Sequence, residues 1–125
     1  MNIANLLLEH LRDRGNAPAL IDYRGGRVRE RTMSFRELDL ATGEVAEQLA
    51  SNGTHRGDGV LILHPMSIEL YVFLIALFRI GAVGIFLDPS AGRDYINHCL
   101  QIYFPRAFFW KPEGSISETG DTFST

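Results

Sequence analysis

Polar and apolar positions alternate with two different periods along this chain, and each change of period marks an element. Ile3, Leu7 and Leu11 recur at helical spacing with Leu6 and His10 beside them. Asn2 is placed to cap that helix, Gly15 to end it and Pro18 to block its continuation. Ala19 to Tyr23 reads as a strand, Gly25-Gly26 as a tight turn and Arg27 to Thr32 as the returning arm of a hairpin. Ser34-Phe35-Arg36-Glu37 is a capping-box pattern, and behind it Leu38, Ala41, Val45 and Leu49 form one buried stripe as far as Gly53. Turn residues from Asn52 to Gly59 lead into the strand Val60 to Leu63, which His64-Pro65 closes.

The longest apolar stretch, MSIELYVFLIALFRIGAVGIFLDP from Met66 to Pro89, organises the rest. A membrane-spanning helix needs about 20 mostly apolar residues, but Glu69 and Arg79 carry charge and Arg79 falls near the middle of the span. The stretch therefore predicts a buried helix ended by Gly81, feeding a buried strand from Val83 to Leu87. Ser90 can then cap a helix in which Tyr95, Cys99 and Tyr103 align with Ile96 and Leu100; Pro105 stops it, and Ala107 to Trp110 is a last short strand. From residue 60 onward the order is β-α-β-α-β. This predicts an α/β fold, a doubly wound, mainly parallel sheet flanked by helices, preceded by an N-terminal helix and a β-hairpin. Residues 1–110 form this α/β unit, and residues 111–125, which lack apolar periodicity, read as a linker or disordered tail.

Composition narrows the picture modestly. With 125 residues the chain is one domain's worth, able to bury about two-thirds of its unfolded surface. A formal net charge of −3 offers no electrostatic argument for nucleic acid or an acidic membrane. Cys99 is the only cysteine, which rules out an intrachain disulfide and suits a reducing, cytoplasmic setting. No basic region precedes the apolar residues at the N-terminus, so a signal peptide is not expected.

Candidate chemistry is sparse. Arg27, Arg29 and Arg31 share one face of their strand, readable as a phosphate-binding surface or, more blandly, as a solvated edge protected by charge. His64 and Asp88 fall at carboxyl ends of strands, where open α/β sheets bind ligands, but no third ligand sits at useful spacing. His10, His55 and His98 read as surface or helix-face residues, and Cys99 as a core thiol with no basic neighbour. Gly81-Ala82-Val83-Gly84 precedes and enters a strand, so its glycines serve helix termination and close packing rather than a dinucleotide fingerprint. Ser115 to Thr122 has the composition of a phosphate loop, yet carries Glu118 and Asp121 and no following lysine; Lys111 is the chain's one lysine. No catalytic, cofactor-binding or metal-binding residue is assigned.

Four stretches in order carry a resemblance. Met33-Ser34-Phe35-Arg36-Glu37-Leu38 resembles the first core motif of the adenylate-forming enzymes, L-[TS]-Y-x-E-L. Phe78 to Pro89, FRIGAVGIFLDP, resembles the second, L-K-x-G-A-x-x-x-P-L-[DN]-P. Between them, Gly57-Asp58-Gly59-Val60 resembles the G-D-x-V entry into a strand, and Pro65-Met66-Ser67-Ile68-Glu69 the P-N-S-x-E opening of a helix. Each motif alone is weak; four in register over about residues 3–110 resemble the N-terminal part of AMP-forming acyl-CoA synthetases. Details around Phe78 to Pro89 and Cys99 to Phe108 are similar to the long-chain acyl and β-lactone synthetase branch, hence to fatty acid metabolism. Met66 replaces the usual Asn, and Ile85-Phe86 stand where Val-Pro is common.

The resemblance implies a parent ligase that uses ATP and Mg²⁺ to convert a carboxylate to an acyl-adenylate, then passes the acyl group to a thiol such as coenzyme A. It also implies that the phosphate loop, the ribose-binding acidic residue and the catalytic lysine of that family have no counterpart here. The expectation is an incomplete N-terminal subdomain, inactive alone and binding no cofactor. Its partner would be the remainder of the enzyme or a second copy of itself as a homodimer. The alternative is a free-standing α/β module that binds a nucleotide or a partner protein.

Overall fold

In the computed structural model, residues 2–23, 30–64, 66–87, 89–102, 105, 107–110 and 121–124 are described. Helix α1 (Asn5–Arg14) leads into a hairpin of β1 (Pro18–Tyr23) and β2 (Glu30–Ser34), followed by α2 (Phe35–Ser51), β3 (Gly59–Leu63), α3 (Ile68–Ile80) and β4 (Val83–Phe86). A 3₁₀ turn (Pro89–Ala91), α4 (Arg93–Ile102), β5 (Ala107–Trp110) and β6 (Asp121–Ser124) complete the order. The hairpin is antiparallel, and the main sheet runs β4-β3-β5-β6, with β4, β3 and β5 parallel and β6 antiparallel. The α/β, mainly parallel architecture is therefore the one the periodicities predict.

The helix ends show why these residues fold as they do. At α2, the Ser34 side chain accepts the Glu37 N–H at 3.1 Å and the Glu37 carboxylate accepts the Ser34 N–H at 3.4 Å. At the far end of α3, Gly81 adopts φ +75° and the Ala82 N–H reaches back to the Leu77 carbonyl at 3.0 Å, a Schellman ending that satisfies orphan carbonyls. Gly15 behaves otherwise. It stays in right-handed helical geometry, and the space an added Cβ would take is approached by the mobile end of Arg36 at 2.7 Å and by the Leu11 carbonyl at 3.1 Å. Asn2 sits before the helix cap: its side chain accepts the Ala4 N–H and donates to the Phe78 carbonyl, tying the N-terminus to the end of α3.

Helix α3 is the centre of packing. Leu70, Phe73, Ala76 and Leu77 meet Val60 and Ile62 of β3, Phe109 of β5 and Ala46 and Leu49 of α2 in one buried cluster. Ile68 and Val72 join Leu7 and Leu38 in a second, flanked by Leu20 and Met33 of the hairpin. Arg79, the charge that argued against a membrane span, donates to the Asp39 carboxylate at 2.9 Å and to the Thr42 hydroxyl at 3.0 Å. Thr42 is fully buried, and its hydroxyl also donates to the Asp39 carbonyl, so the α2 stripe centres on Leu38, Thr42, Ala46 and Leu49, with Ala41 and Val45 at its margin. Among the described residues, no helix is long and apolar enough to cross a membrane.

Three expectations need correction. Strand β4 is not covered on both faces: Val83 and Phe86 are 44% and 54% exposed, because β4 is the edge of the sheet and β3 its buried centre. The helix after Asp88-Pro89 does not start at Ser90; one 3₁₀ turn intervenes, and Gly92 at φ +96° resets the chain before Arg93. In the stretch read as a tail, Asp121–Ser124 pairs with β5, Phe123 opposite Phe108, since backbone pairing can hold a strand too short to show alternation.

Two glycines give opposite predictions. Gly43 lies inside α2, where a Cβ would meet Arg79 at an ordinary 3.8 Å, so Gly43→Ala is expected to raise stability by about 0.5–1 kcal/mol. Gly81→Ala forces a left-handed alanine at the α3 terminus and is expected to lower it by about 1–2 kcal/mol. Urea unfolding of both variants checks the pair; a common sign would contradict these cap assignments.

Candidate functional site

The chain leaves β3 toward β4 and then crosses back to β5 on the other side of β3. The strand order thus reverses beside β3, and open α/β sheets bind ligands at the carboxyl ends next to such a reversal. His64 stands there, directly after β3. Its ring stacks on Phe109 of β5, centroids 4.8 Å apart, and Nδ1 lies 3.4 Å from the Ser67 hydroxyl. That hydroxyl accepts the Leu70 N–H at 3.2 Å and caps α3. The imidazole is half-buried between a core aromatic and a helix cap, an arrangement that explains it as packing. Asp88, the other strand-end candidate, lies outside the described residues.

A charge cluster among the described residues lies where the hairpin meets the start of α3. Strand register sets Asp22 opposite Arg31. The Arg31 guanidinium donates through Nε and Nη2 to the Asp22 carboxylate (2.8 and 2.5 Å) and through Nη1 and Nη2 to Glu69 (2.6 and 2.9 Å). Asp22 Oδ2 also accepts the Ile68 N–H at 2.8 Å, a free donor of the first turn of α3. The Arg31 hydrogen bond chiefly, with help from the Ile68 N–H, holds the Asp22 carboxyl below its ordinary value against the opposing effect of burial. The two carboxylates in turn raise Arg31 above its own.

This resolves the Arg31 question in an unexpected direction. It is neither a phosphate ligand nor a solvated edge charge. Its hydrogen bonds go to two carboxylates, the cluster carries a net negative charge, and the nearby helix donors at Ile68 and Leu70 are taken by Asp22 and Ser67. Arg27 and Arg29 lie outside the described residues. The sequence carries a signal for the cluster: Asp22 sits at an inward position of β1, and Glu69 in the first turn of α3.

Cys99 is a second correction. No residue of α4 is buried, and Tyr95 is 52% exposed, so the apolar stripe of this helix is not a core face. The Tyr95 hydroxyl, hydrogen-bonded with the Cys99 thiol one turn on, is held above the ordinary phenol range. Of the remaining histidines, His10 stacks on Phe35 at 5.3 Å, His98 is exposed on α4, and the His55 N–H donates to the Asp58 carboxylate. Residues 111–120, including Lys111 and most of the Ser/Thr/Gly-rich decoy, lie outside the described residues. Among the described residues, no group of three or more His, Cys, Asp or Glu could hold a metal ion.

Comparison with known proteins supplies what the site does not. The AMP-binding enzyme family matches residues 7–122. The olefin beta-lactone synthetase of Stenotrophomonas maltophilia (strain K279a) is 33% identical over 81 residues, covering 65% of this chain and 15% of that protein. The propionate–CoA ligase of Escherichia coli (strain K12) is 39% identical over 79 residues, covering 63% and 13%. The N-terminal subdomain of Klebsiella oxytoca NpsA superposes with a TM-score of 0.78 at 27% identity over 92% of this chain and 29% of that one. The chain thus spans about a seventh of the length of these curated relatives. With a match running from α1 into β6 and a fold shared with that N-terminal subdomain, the chain belongs to the AMP-binding enzyme family.

Proposed function

We propose that this chain supplies the N-terminal α/β scaffold of an AMP-forming ligase. The whole enzyme would activate a carboxylate with ATP and Mg²⁺, releasing pyrophosphate, and pass the acyl group to a thiol such as coenzyme A. The observation that carries the reading is the family match over residues 7–122 alongside relatives of which this chain covers only a small share. The match to a propionate–CoA ligase supports a coenzyme A thioester as the product. A single cysteine and the absence of a long apolar helix among the described residues support a cytoplasmic location.

Among the described residues no group of three or more His, Cys, Asp or Glu could hold Mg²⁺. Catalysis of this type needs positioned positive charge at the phosphates, and two of the arginines, Arg31 and Arg79, are committed to carboxylates instead. The α/β unit of residues 1–110, extended by β6, therefore acts as scaffold, and the exposed apolar residues of β4 and α4 are met by the rest of an enzyme or by a second copy.

Purified chain incubated with ATP, Mg²⁺ and acetate, propionate or a long-chain fatty acid is expected to release no pyrophosphate, and calorimetry with ATP–Mg²⁺ to show no binding. Pyrophosphate release would overturn the scaffold reading. Micromolar binding without turnover would favour the free-standing nucleotide-binding module.

A further inference from the structure

We infer that Asn52 is a modification site, an asparagine that converts to aspartate and isoaspartate when the cap at the end of α2 opens. It is the one asparagine of the chain that precedes a glycine, whose backbone nitrogen no side chain shields. The Gly53 nitrogen, once deprotonated, attacks Asn52 Cγ. The N–Cγ bond forms, the Cγ–Nδ2 bond breaks, and the amide group leaves as ammonia. Water then opens the resulting succinimide at either carbonyl. Opening at Cγ gives aspartate; opening at the backbone carbonyl gives isoaspartate, whose main chain runs through Cβ and Cγ. One water enters for each ammonia that leaves, and nothing is oxidised or reduced.

The native fold exposes the Asn52 side chain but withholds the geometry of attack. Ring closure needs the Gly53 nitrogen eclipsed with Cβ about the Cα–C bond of Asn52. With ψ at 5° it eclipses the Asn52 backbone nitrogen instead, a third of a turn away. The Gly53 N–H also donates to the Ala50 carbonyl at 3.1 Å and the Thr54 N–H to the Leu49 carbonyl at 3.0 Å, the paired bonds of a Schellman ending with Gly53 at φ +89°. Attack therefore waits on a local opening of this cap. Its product then keeps the cap weak. A carboxylate at position 52 stands at the negative end of the α2 dipole, in a surface hollow shared with Glu44 and Glu47, and the last turn of α2 has no basic residue to offset it. Isoaspartate adds one carbon to the main chain between the bonds that the cap must align. The loop that follows sets the entry to β3: Thr54 is buried, the Gly57 N–H donates to the Gly81 carbonyl at 2.9 Å, and the Asp58 carbonyl accepts the Val83 N–H at 2.8 Å. Conversion at residue 52 thus loosens the approach to the central strand.

The full chain, folded or unfolded in guanidinium chloride, is incubated in mildly alkaline buffer, and residue 52 is followed by peptide mapping with mass spectrometry. Conversion is expected in both states, about tenfold or more slower in the folded one. Thr54→Pro removes one donor of the cap but leaves the Asn52–Gly53 dipeptide intact, and should recover much of that difference under native conditions. The wild-type comparison decides the gating even where Thr54→Pro fails to fold. Asn52→Gln, which would have to close a larger ring, should stay unmodified at this position in both states. Asn52→Asp, the product with a normal main chain, should unfold at a lower urea midpoint than wild type, the gap narrowing as salt is added. No conversion at residue 52 in the unfolded chain overturns the site. Equal rates in the two states overturn gating by the cap, and an Asn52→Asp midpoint at or above that of wild type overturns the weakening.

Discussion

Phe109→Ala is expected to lower folding stability by about 4 kcal/mol, the largest loss of any single substitution considered for this chain. Phe109 is 4% exposed at the point where β5 meets α3. Its ring lies nearly parallel to Phe73, centroids 3.9 Å apart with 6° between planes, and also stacks on His64. Truncation removes the transfer free energy of a buried ring, leaves a cavity lined by α3 and β3, and ends two ring contacts worth about 0.5–1.5 kcal/mol each. Phe109→Leu separates these terms. It retains most of the volume, and its expected loss is about 1–1.5 kcal/mol, chiefly the stacking. Chemical denaturation followed by circular dichroism, with Trp110 as the one tryptophan reporter, measures both. Equal losses for the two variants would mean that ring stacking, not cavity volume, dominates at this site. The ~4 kcal/mol is large against a total stability of about 5–15 kcal/mol, so Phe109→Ala should also broaden or split the transition if the sheet opens before the hairpin.

What could be read from the sequence was local, and what could not was relational. The α3 boundaries follow from Ser67, the apolar run and Gly81, each of which acts within a turn of its own position. The α2 capping box is equally local. By contrast, Val83–Phe86 has the composition of a central strand, and only the order β4-β3-β5 reveals that it is an edge. The α4 stripe has helical periodicity, but periodicity states which residues share a face, not what covers it. At Thr42 the apolar pattern displaced the true stripe by one position, because a hydroxyl satisfied by Asp39 and Arg79 is as buriable as a methyl.

The candidate site follows the same division. The four family motifs were legible because order and spacing are linear properties, and the match over residues 7–122 agrees with them. Those motifs build scaffold here: Ser34 and Glu37 cap α2, Gly81 ends α3, and Ser67 and Glu69 serve the start of α3. His64 lies at the strand reversal that the order of elements predicts, yet its partners, Phe109 and Ser67, make it part of the packing. Alternation groups Arg31 with its neighbours in sequence, Arg27 and Arg29, whereas its partners come from β1 and α3, 9 and 38 residues away.

Arg31→Met should therefore lower stability by about 2–3 kcal/mol at pH 7, through charge rather than volume. The guanidinium is 30% exposed, and its partners Asp22 and Glu69 are 16% and 24% exposed, which places the cluster between surface pairs worth under about 1 kcal/mol and buried ones whose disruption costs about 3–5. Methionine keeps the aliphatic packing but leaves two carboxylates facing each other over the second hydrophobic cluster. The pH dependence distinguishes this cause from a packing defect. In the native chain Asp22 titrates below its ordinary value of 3.8, so the unfolded state binds the proton first as the pH falls. Its contribution is complete above the unfolded value and is lost as acid carries the pH down through the folded one. Without Arg31, burial and Glu69 push the Asp22 carboxyl upward instead. Urea unfolding of both proteins from neutral pH to below pH 3 should show the gap widest at pH 7 and closing below about pH 4. A gap constant across that range would assign the loss to packing, and the ion-pair cluster would no longer explain how the hairpin is held to α3.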